Sequence, residues 1–257
     1  MLDFIAKPMG VMVKFIYDML EFLDNPVISA YALAIIVAGV LLKLVLLPLT
    51  KKQTDSMKEM QRIQPEISKL QKKYKNDKET LNRKTMELYN EHNVNPMGGC
   101  LPLLIQFPIL IGFFYVLRDP VKYAFKSQAA YDAMNKSFLW IKDLGYAANH
   151  VFEDGVVNGL GMGFEIPYVG AAIPILALIA GLTTYYQSKM MQAGQSGGNE
   201  KANSTQNMMT KFMPVMIFFF ALSFPAGLTL YWTVSNLFQI VQQYIALNKS
   251  MQIKEAK

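Results

Sequence analysis

Six polar residues stand inside otherwise apolar stretches, and their types limit the chemistry on offer. Lys43 is the single charge in VISAYALAIIVAGVLLKLVLLPL, residues 27–49. Gln106 interrupts a second apolar stretch, Gln187 closes a third, and Trp232, Asn236 and Gln239 fall in a fifth. An ammonium attracts carboxylates, while amides and an indole N–H give or take hydrogen bonds. A charge at the centre of a membrane-spanning helix costs about 2.5–3.5 kcal/mol on insertion scales, so Lys43 requires a reason. None of these residues forms a nucleophile with a base, so no catalytic residue and no enzyme activity is expected. Cys100 is the only cysteine, and His92 and His150 lie outside the apolar runs. A metal site is therefore not expected, nor any other cofactor. The phosphate-cradling pattern G-x-x-x-x-G-K-[ST] is absent, which excludes a P-loop motor. The available chemistry is recognition.

The elements that must position these residues follow from composition and periodicity. Of 257 residues, 52% are hydrophobic and 17% charged, more apolar than a soluble domain usually is. The apolar residues cluster in runs, which predicts an all-α polytopic membrane protein with five transmembrane helices at 27–50, 98–117, 166–188, 208–224 and 226–247. The fourth is short, which predicts local thinning of the bilayer. Ahead of the first, within residues 1–26, Lys14, Asp18 and Glu21 share one helical face and Val11, Phe15, Ile16 and Met19 fill others. That pattern predicts an amphipathic helix lying in the membrane interface. Residues 51–97 are highly charged but carry Met57, Met60, Ile63, Ile67, Leu70 and Tyr74 at spacings of three and four. With a turn signal at Lys75-Asn76-Asp77 and Leu81, Leu88 and Tyr89 beyond it, this segment reads as a helical hairpin outside the membrane. In the polar loop 118–165, Phe138 to Ile141 can anchor at the interface. Residues 189–207 read as a flexible connector and 248–257 as a short tail.

Loop charges orient the chain. With the hairpin in the cytoplasm, the inner segments carry 17 Lys and Arg and the outer ones 7. The positive-inside rule then places the N-terminus outside and the C-terminus inside. On that topology Lys43 lies roughly 9 Å from the cytoplasmic end of the first span, with Gln106 at similar depth. Thr229, Trp232, Asn236, Gln239 and Gln243 follow at spacings of 3, 4, 3 and 4, one polar stripe along the last span. Two explanations stand side by side. Lys43 can snorkel to the headgroups while the other groups merely bond helix to helix. Alternatively, the polar groups line a hydrated groove open to the cytoplasm and closed on the outer side.

Several motifs bear on that choice. They are Asn95-Pro96-Met97-Gly98-Gly99-Cys100-Leu101-Pro102, Leu104-Ile105-Gln106-Phe107-Pro108, Pro48-Leu49-Thr50 and Gln64-Pro65. Others are Phe138-Leu139-Trp140-Ile141-Lys142-Asp143-Leu144, Phe224-Pro225-Ala226-Gly227-Leu228, and Tyr231-Trp232-Thr233-Val234-Ser235-Asn236. In order and spacing they resemble the YidC/Oxa/Alb family of membrane-protein insertases, in the bacterial form without a large outer domain. The resemblance implies location in the bacterial cytoplasmic membrane and nascent membrane proteins as partners. It also makes the Sec translocon and the ribosome candidate partners, in a lipid bilayer, with no direct nucleic-acid binding expected. Lys43 matches the position where the family usually carries arginine in a hydrophilic groove, with Gln187 and Trp232 also lining it. Lysine keeps the charge but not the fork geometry. The implied mechanism draws a substrate's hydrophilic segment into the groove and releases its apolar segment into lipid. The competing functions are a small-solute transporter or channel with Lys43 in its path, and a structural scaffold. No inverted repeat and no intramembrane acid supports a transporter.

Overall fold

The computed structural model describes residues 3–92, 94, 101–158, 175–192 and 200–255. Among them the chain is helical, with isolated bridges and no strand. The helices are α1 (Asp3–Leu20), α2 (Ala30–Val45), α3 (Leu47–Lys73), α4 (Lys78–Glu91), α5 (Leu101–Arg118), α6 (Gln128–Ala133), α7 (Ile175–Gln192), α8 (Glu200–Ser223) and α9 (Ala226–Glu255). The Asn95 to Cys100 motif, the start of the expected third span and residues 193–199 of the connector lie outside the described residues. The chain divides into two compact units, residues 1–44, 106–184 and 214–238 forming the first and 45–105, 185–213 and 239–257 the second.

The first unit has one apolar core. Tyr31, Ile35 and Ala38 of α2, Phe113 and Val116 of α5, and Leu228 and Tyr231 of α9 are buried in it. The amphipathic α1 starts earlier than its charge pattern suggested, continues through Pro8, and ends in a 3-10 turn at Glu21–Leu23. It presents Ala6, Met9, Val13 and Ile16 to the core and leaves Phe4, Val11, Phe15, Met19 and Phe22 exposed. A Cβ at Gly10 would fall 2.2 Å from the Tyr123 carbonyl oxygen, so only glycine admits this approach. Tyr123 belongs to a π-helical turn, Val121–Phe125, closed by Lys126 in the left-handed region at φ 58°. Of the expected interface anchor, Ile141 is fully buried, and Phe138 and Trp140 pack on the core. Only Leu139 turns outward, at φ 53°. These residues bind the loop to the helices because aromatic and aliphatic groups gain more from a packed core than from an exposed site.

The second unit holds α3 and α4. Met60, Ile63 and Ile67 of the predicted seam meet Leu88 and Tyr89 of α4 and Val94 in a small core, with Leu70 against it. Asp77 caps α4 by accepting from the Thr80 backbone N–H at 3.0 Å. Helix α3 runs through Pro65.

The structure departs from the expected first span at its end. α2 stops at Val45, and Pro48, Leu49 and Thr50 belong to the first turn of α3. Pro48 explains the break: it lacks the N–H that would bond to Leu44, and its ring clashes with that carbonyl in a continuous helix. At the start of a new helix the same residue is favoured. Similarly, α8 begins at Glu200, inside the expected connector, and α9 continues through the expected tail to Glu255. Among the described residues no single helix is long and apolar enough to cross a membrane alone. The pair Ala30–Val45 and Leu47–Met60 passes that test together, and Gln106–Arg118 and Thr210–Ser223 are shorter apolar helices.

Candidate functional site

Lys43 lies in the last turn of α2, two residues before its end. The rise from Lys43 to the end of α2 is therefore about 3 Å rather than the 9 Å inferred from a longer helix. Its burial is nevertheless nearly complete. Lys43 is 4% exposed, whereas Leu41, Leu44 and Val45 beside it are 41%, 50% and 74% exposed. The helix turns its charge inward and its aliphatic groups outward, the reverse of a helix in water.

The buried ammonium is met by an amide. Lys43 Nζ donates to Gln106 Oε1 at 2.7 Å, and Gln106 Nε2 donates to the Tyr231 hydroxyl at 3.0 Å. Tyr231 is fully buried and its ring stacks on Phe113, centroids 4.0 Å apart and 11° from parallel. The chain Lys43–Gln106–Tyr231 thus joins α2, α5 and α9. Among the described residues no carboxylate lies within ion-pair distance of Lys43, so its charge is met by dipoles alone. A cation in that state attracts an incoming carboxylate.

A second network lies one residue further along α9. Trp232 Nε1 donates to Thr184 Oγ1 at 2.9 Å, and Asn236 Nδ2 donates to the same oxygen at 2.8 Å and to Thr183 Oγ1 at 3.3 Å. Thr184 can accept both because its own hydroxyl proton goes back to the Ala180 carbonyl at 2.7 Å. Thr184 and Asn236 are buried, at 2% and 4% exposure, and Trp232 is half-buried. Successive residues on a helix point about 100° apart, so Tyr231 and Trp232 address different neighbours.

The six predicted residues therefore divide. Lys43 and Gln106 touch, and Trp232 and Asn236 share one acceptor. Gln187 and Gln239 are half-buried residues of the second unit. In that unit Gln242 Nε2 also donates to Thr50 Oγ1 at 2.8 Å. Along the predicted stripe, Thr229, Asn236 and Gln243 are all buried. Tyr231 and Thr184 were not predicted as site residues. A tyrosine beside a tryptophan in an apolar helix reads as packing, and a threonine reads as a helix-bonding hydroxyl. Only the i, i+4 pair Tyr231 and Ser235, both buried, hinted at a second polar line.

The sequence profile of the family described as 60Kd inner membrane protein matches residues 22–254. The chain belongs to this family. Among its relatives, the membrane protein insertase YidC of Fusobacterium nucleatum is 36% identical over 243 residues, which cover 92% of this chain and 98% of that protein. The membrane protein insertase MisCA of Bacillus subtilis is 40% identical over 219 residues, covering 84% of this chain and 69% of the relative. The YidC of Syntrophobacter fumaroxidans is 36% identical over 242 residues. There the match takes 94% of this chain but only 37% of the longer relative. Family members thus differ more than twofold in length around the region that this chain shares.

Proposed function

We propose that this chain is a membrane-protein insertase of the bacterial cytoplasmic membrane, working without enzymatic chemistry. In this reading it spans the bilayer five times with its N-terminus outside, and residues 51–97 form a cytoplasmic helical hairpin. A short hydrophilic segment of a substrate enters a polar groove from the cytoplasm. Lys43 draws in its acidic residues, and Gln106, Trp232 and Asn236 offer hydrogen bonds to its backbone. The apolar segment of the substrate meanwhile passes into lipid, so no continuous pore is needed. Gln187 and Gln239 are proposed substrate contacts in their own right. Nascent membrane proteins are the substrates; the Sec translocon and the ribosome are proposed partners.

The observation that carries the reading is the inside-out end of α2, where a 4%-exposed lysine bonds to Gln106 while Leu44 and Val45 face outward. Phe107, Leu182, Phe219 and Val241 on other helices are likewise exposed, and large apolar side chains left outward on helix after helix favour lipid over water. The insertase names of the relatives favour this function over a solute transporter.

The test is complementation of an insertase-depleted bacterial strain. Lys43→Ala impairs insertion of substrates whose translocated tails are acidic, and Lys43→Arg retains it. A photocrosslinker at Trp232 or Asn236 captures the nascent substrate. Full complementation by the alanine variant, or labelling of lipid alone, overturns the reading.

A further inference from the structure

We infer that the loop Asn135 to Asn158 is a clamp that seats α9 against α2, with Asn158 as its positioning residue. The need for a clamp arises at the start of α9. The first N–H groups of a helix have no partner within it. The residue before α9 is Pro225, whose side chain offers no acceptor. The loop supplies the missing acceptors instead: Ala226 N donates to the Tyr146 carbonyl at 2.8 Å and Gly227 N to the Leu144 carbonyl at 2.9 Å. A Cβ on Gly227 would lie 3.3 Å from that Leu144 oxygen and 3.1 Å from Ile35 Cδ1 of α2, so glycine permits the three segments to close up.

The Tyr146 carbonyl, with the carbonyls of Asp143 and Ala147 on either side of this stretch, is held in turn by one buried amide. Asn158 is 0% exposed. Its Nδ2 donates to the carbonyls of Asp143 at 2.7 Å, Tyr146 at 3.2 Å and Ala147 at 3.2 Å, and its Oδ1 accepts from Asp143 N at 2.8 Å. Tyr146 O therefore serves both Asn158 and α9. A second brace is the ion pair of Lys136 Nζ and Asp143 Oδ2 at 3.7 Å, whose side chains are 9% and 17% exposed. Asp143 Oδ1 accepts from Gly145 N, and Lys136 Nζ also donates to the Tyr131 carbonyl. Leu144 and Ile141, each 1% exposed, anchor the loop in the core.

The same loop grips the start of α2. Ser29 N donates to the Ser137 carbonyl at 3.0 Å, Leu139 N to the Val27 carbonyl, and Asn135 Nδ2 to the Asn25 carbonyl at 2.8 Å. One segment thus holds the residues that lead into α2 and the first turn of α9, two of the three helices that carry the Lys43–Gln106–Tyr231 chain. Tyr231 lies one turn beyond Gly227, so the seating of that turn sets where its hydroxyl meets Gln106. Asn158 touches no residue of that chain and acts on it through α9.

Engineered disulfides test this in the full chain, reconstituted in lipid with Cys100→Ser. A Cβ on Gly39 of α2 would lie 3.9 Å from Val234 Cγ1 of α9 and 3.2 Å from Tyr231 Cδ2, so the Gly39→Cys and Val234→Cys pair moves that ring by a few tenths of an ångström and reports the seating of α9 against its own yield with Asn158 intact. A Cβ on Gly181 of α7 would lie 3.5 Å from Phe218 Cβ of α8, so Gly181→Cys with Phe218→Cys reports packing that excludes α9. Added to the first pair, Asn158→Ala lowers the disulfide yield several-fold; added to the second, it leaves the yield unchanged. Asn158→Asp, which keeps the acceptor but loses both amide donors, gives the same split and serves if the alanine variant does not accumulate. Equal yields with and without the Asn158 substitution, or a parallel fall in both pairs, overturn the clamp. The inference builds on the insertase reading only in what α9 is seated for. A several-fold loss confined to the first pair upholds the clamp even where the unsubstituted chain fails complementation, and complementation with unmoved yields defeats the clamp alone.

Discussion

Removing Gln106 separates a structural lysine from a functional one. Gln106→Leu deletes the acceptor of Lys43 Nζ and the donor to the Tyr231 hydroxyl, leaving a buried ammonium and a buried phenol each short of a partner. A hydrogen bond to a charged group contributes about 1.5–3 kcal/mol in soluble proteins. Between helices in lipid the average is about 0.6 kcal/mol and the maximum near 1.7. The Lys43 bond is 2.7 Å long, with a charged donor that is 4% exposed, so it belongs at the upper end of the lipid range. We therefore expect Gln106→Leu to cost about 1–2 kcal/mol. Lys43→Met costs less, because it also removes the burial of a charge. The double variant recovers most of that loss, since the buried charge is gone and only the Tyr231 hydroxyl is left short of a partner. The assay is unfolding by SDS in mixed micelles, run as a double-mutant cycle, together with complementation of an insertase-depleted strain. The cycle returns a coupling of about 1–2 kcal/mol, and the double variant folds but fails to insert acidic tails. Zero coupling refutes the bond. Full complementation by the stable double variant refutes a working role for the charge.

Four further outcomes follow from other contacts. Thr184→Val removes the acceptor shared by Trp232 and Asn236 and costs about 1–3 kcal/mol; in a Trp140→Phe background it shifts the emission of Trp232, and Thr184→Ser restores both. Asp143→Ala leaves the half-buried Lys136 with only the Tyr131 carbonyl as partner and costs about 1–3 kcal/mol, while Lys136→Met with Asp143→Leu recovers most of that loss in the same unfolding assay. Burial also raises the Asp143 carboxyl above its usual 3.8, outweighing the Gly145 N–H and Lys136. The folded chain therefore holds that proton more tightly than the unfolded one. The contribution of Asp143 to stability rises as pH falls from neutral through the raised value towards 3.8, a gain that Asp143→Asn abolishes. Asp77 has the opposite sign: its hydrogen bonds to Thr80 lower its pKa below 3.8, so the α4 cap holds above that value and is lost as pH falls through the lowered one. Protection of the Thr80 amide from hydrogen exchange, relative to its intrinsic rate, declines on acidification in the native chain and stays flat in Asp77→Asn.

The sequence by itself determined what repeats along one helix. The spacing of Met60, Ile63 and Ile67 announced the buried seam of α3, and the stripe from Thr229 to Gln243 announced an inward face of α9. Both are legible because a helix's own period fixes which side chains share a face. Lys43 and Gln106 also stood out, since a charge or an amide among leucines is costly wherever the helix lies. Their contact, in contrast, depends on how α2 and α5 are rotated about their axes, which no single-helix period encodes. The same holds for Tyr231 as the third member of that chain and for Thr184 as the acceptor shared by Trp232 and Asn236. The end of α2 at Val45 was written locally in Pro48, yet the apolar run through Leu49 masked it. Asn158 gave no signal at all. Its value lies in four contacts to backbone groups that only the folded loop brings within reach of one amide.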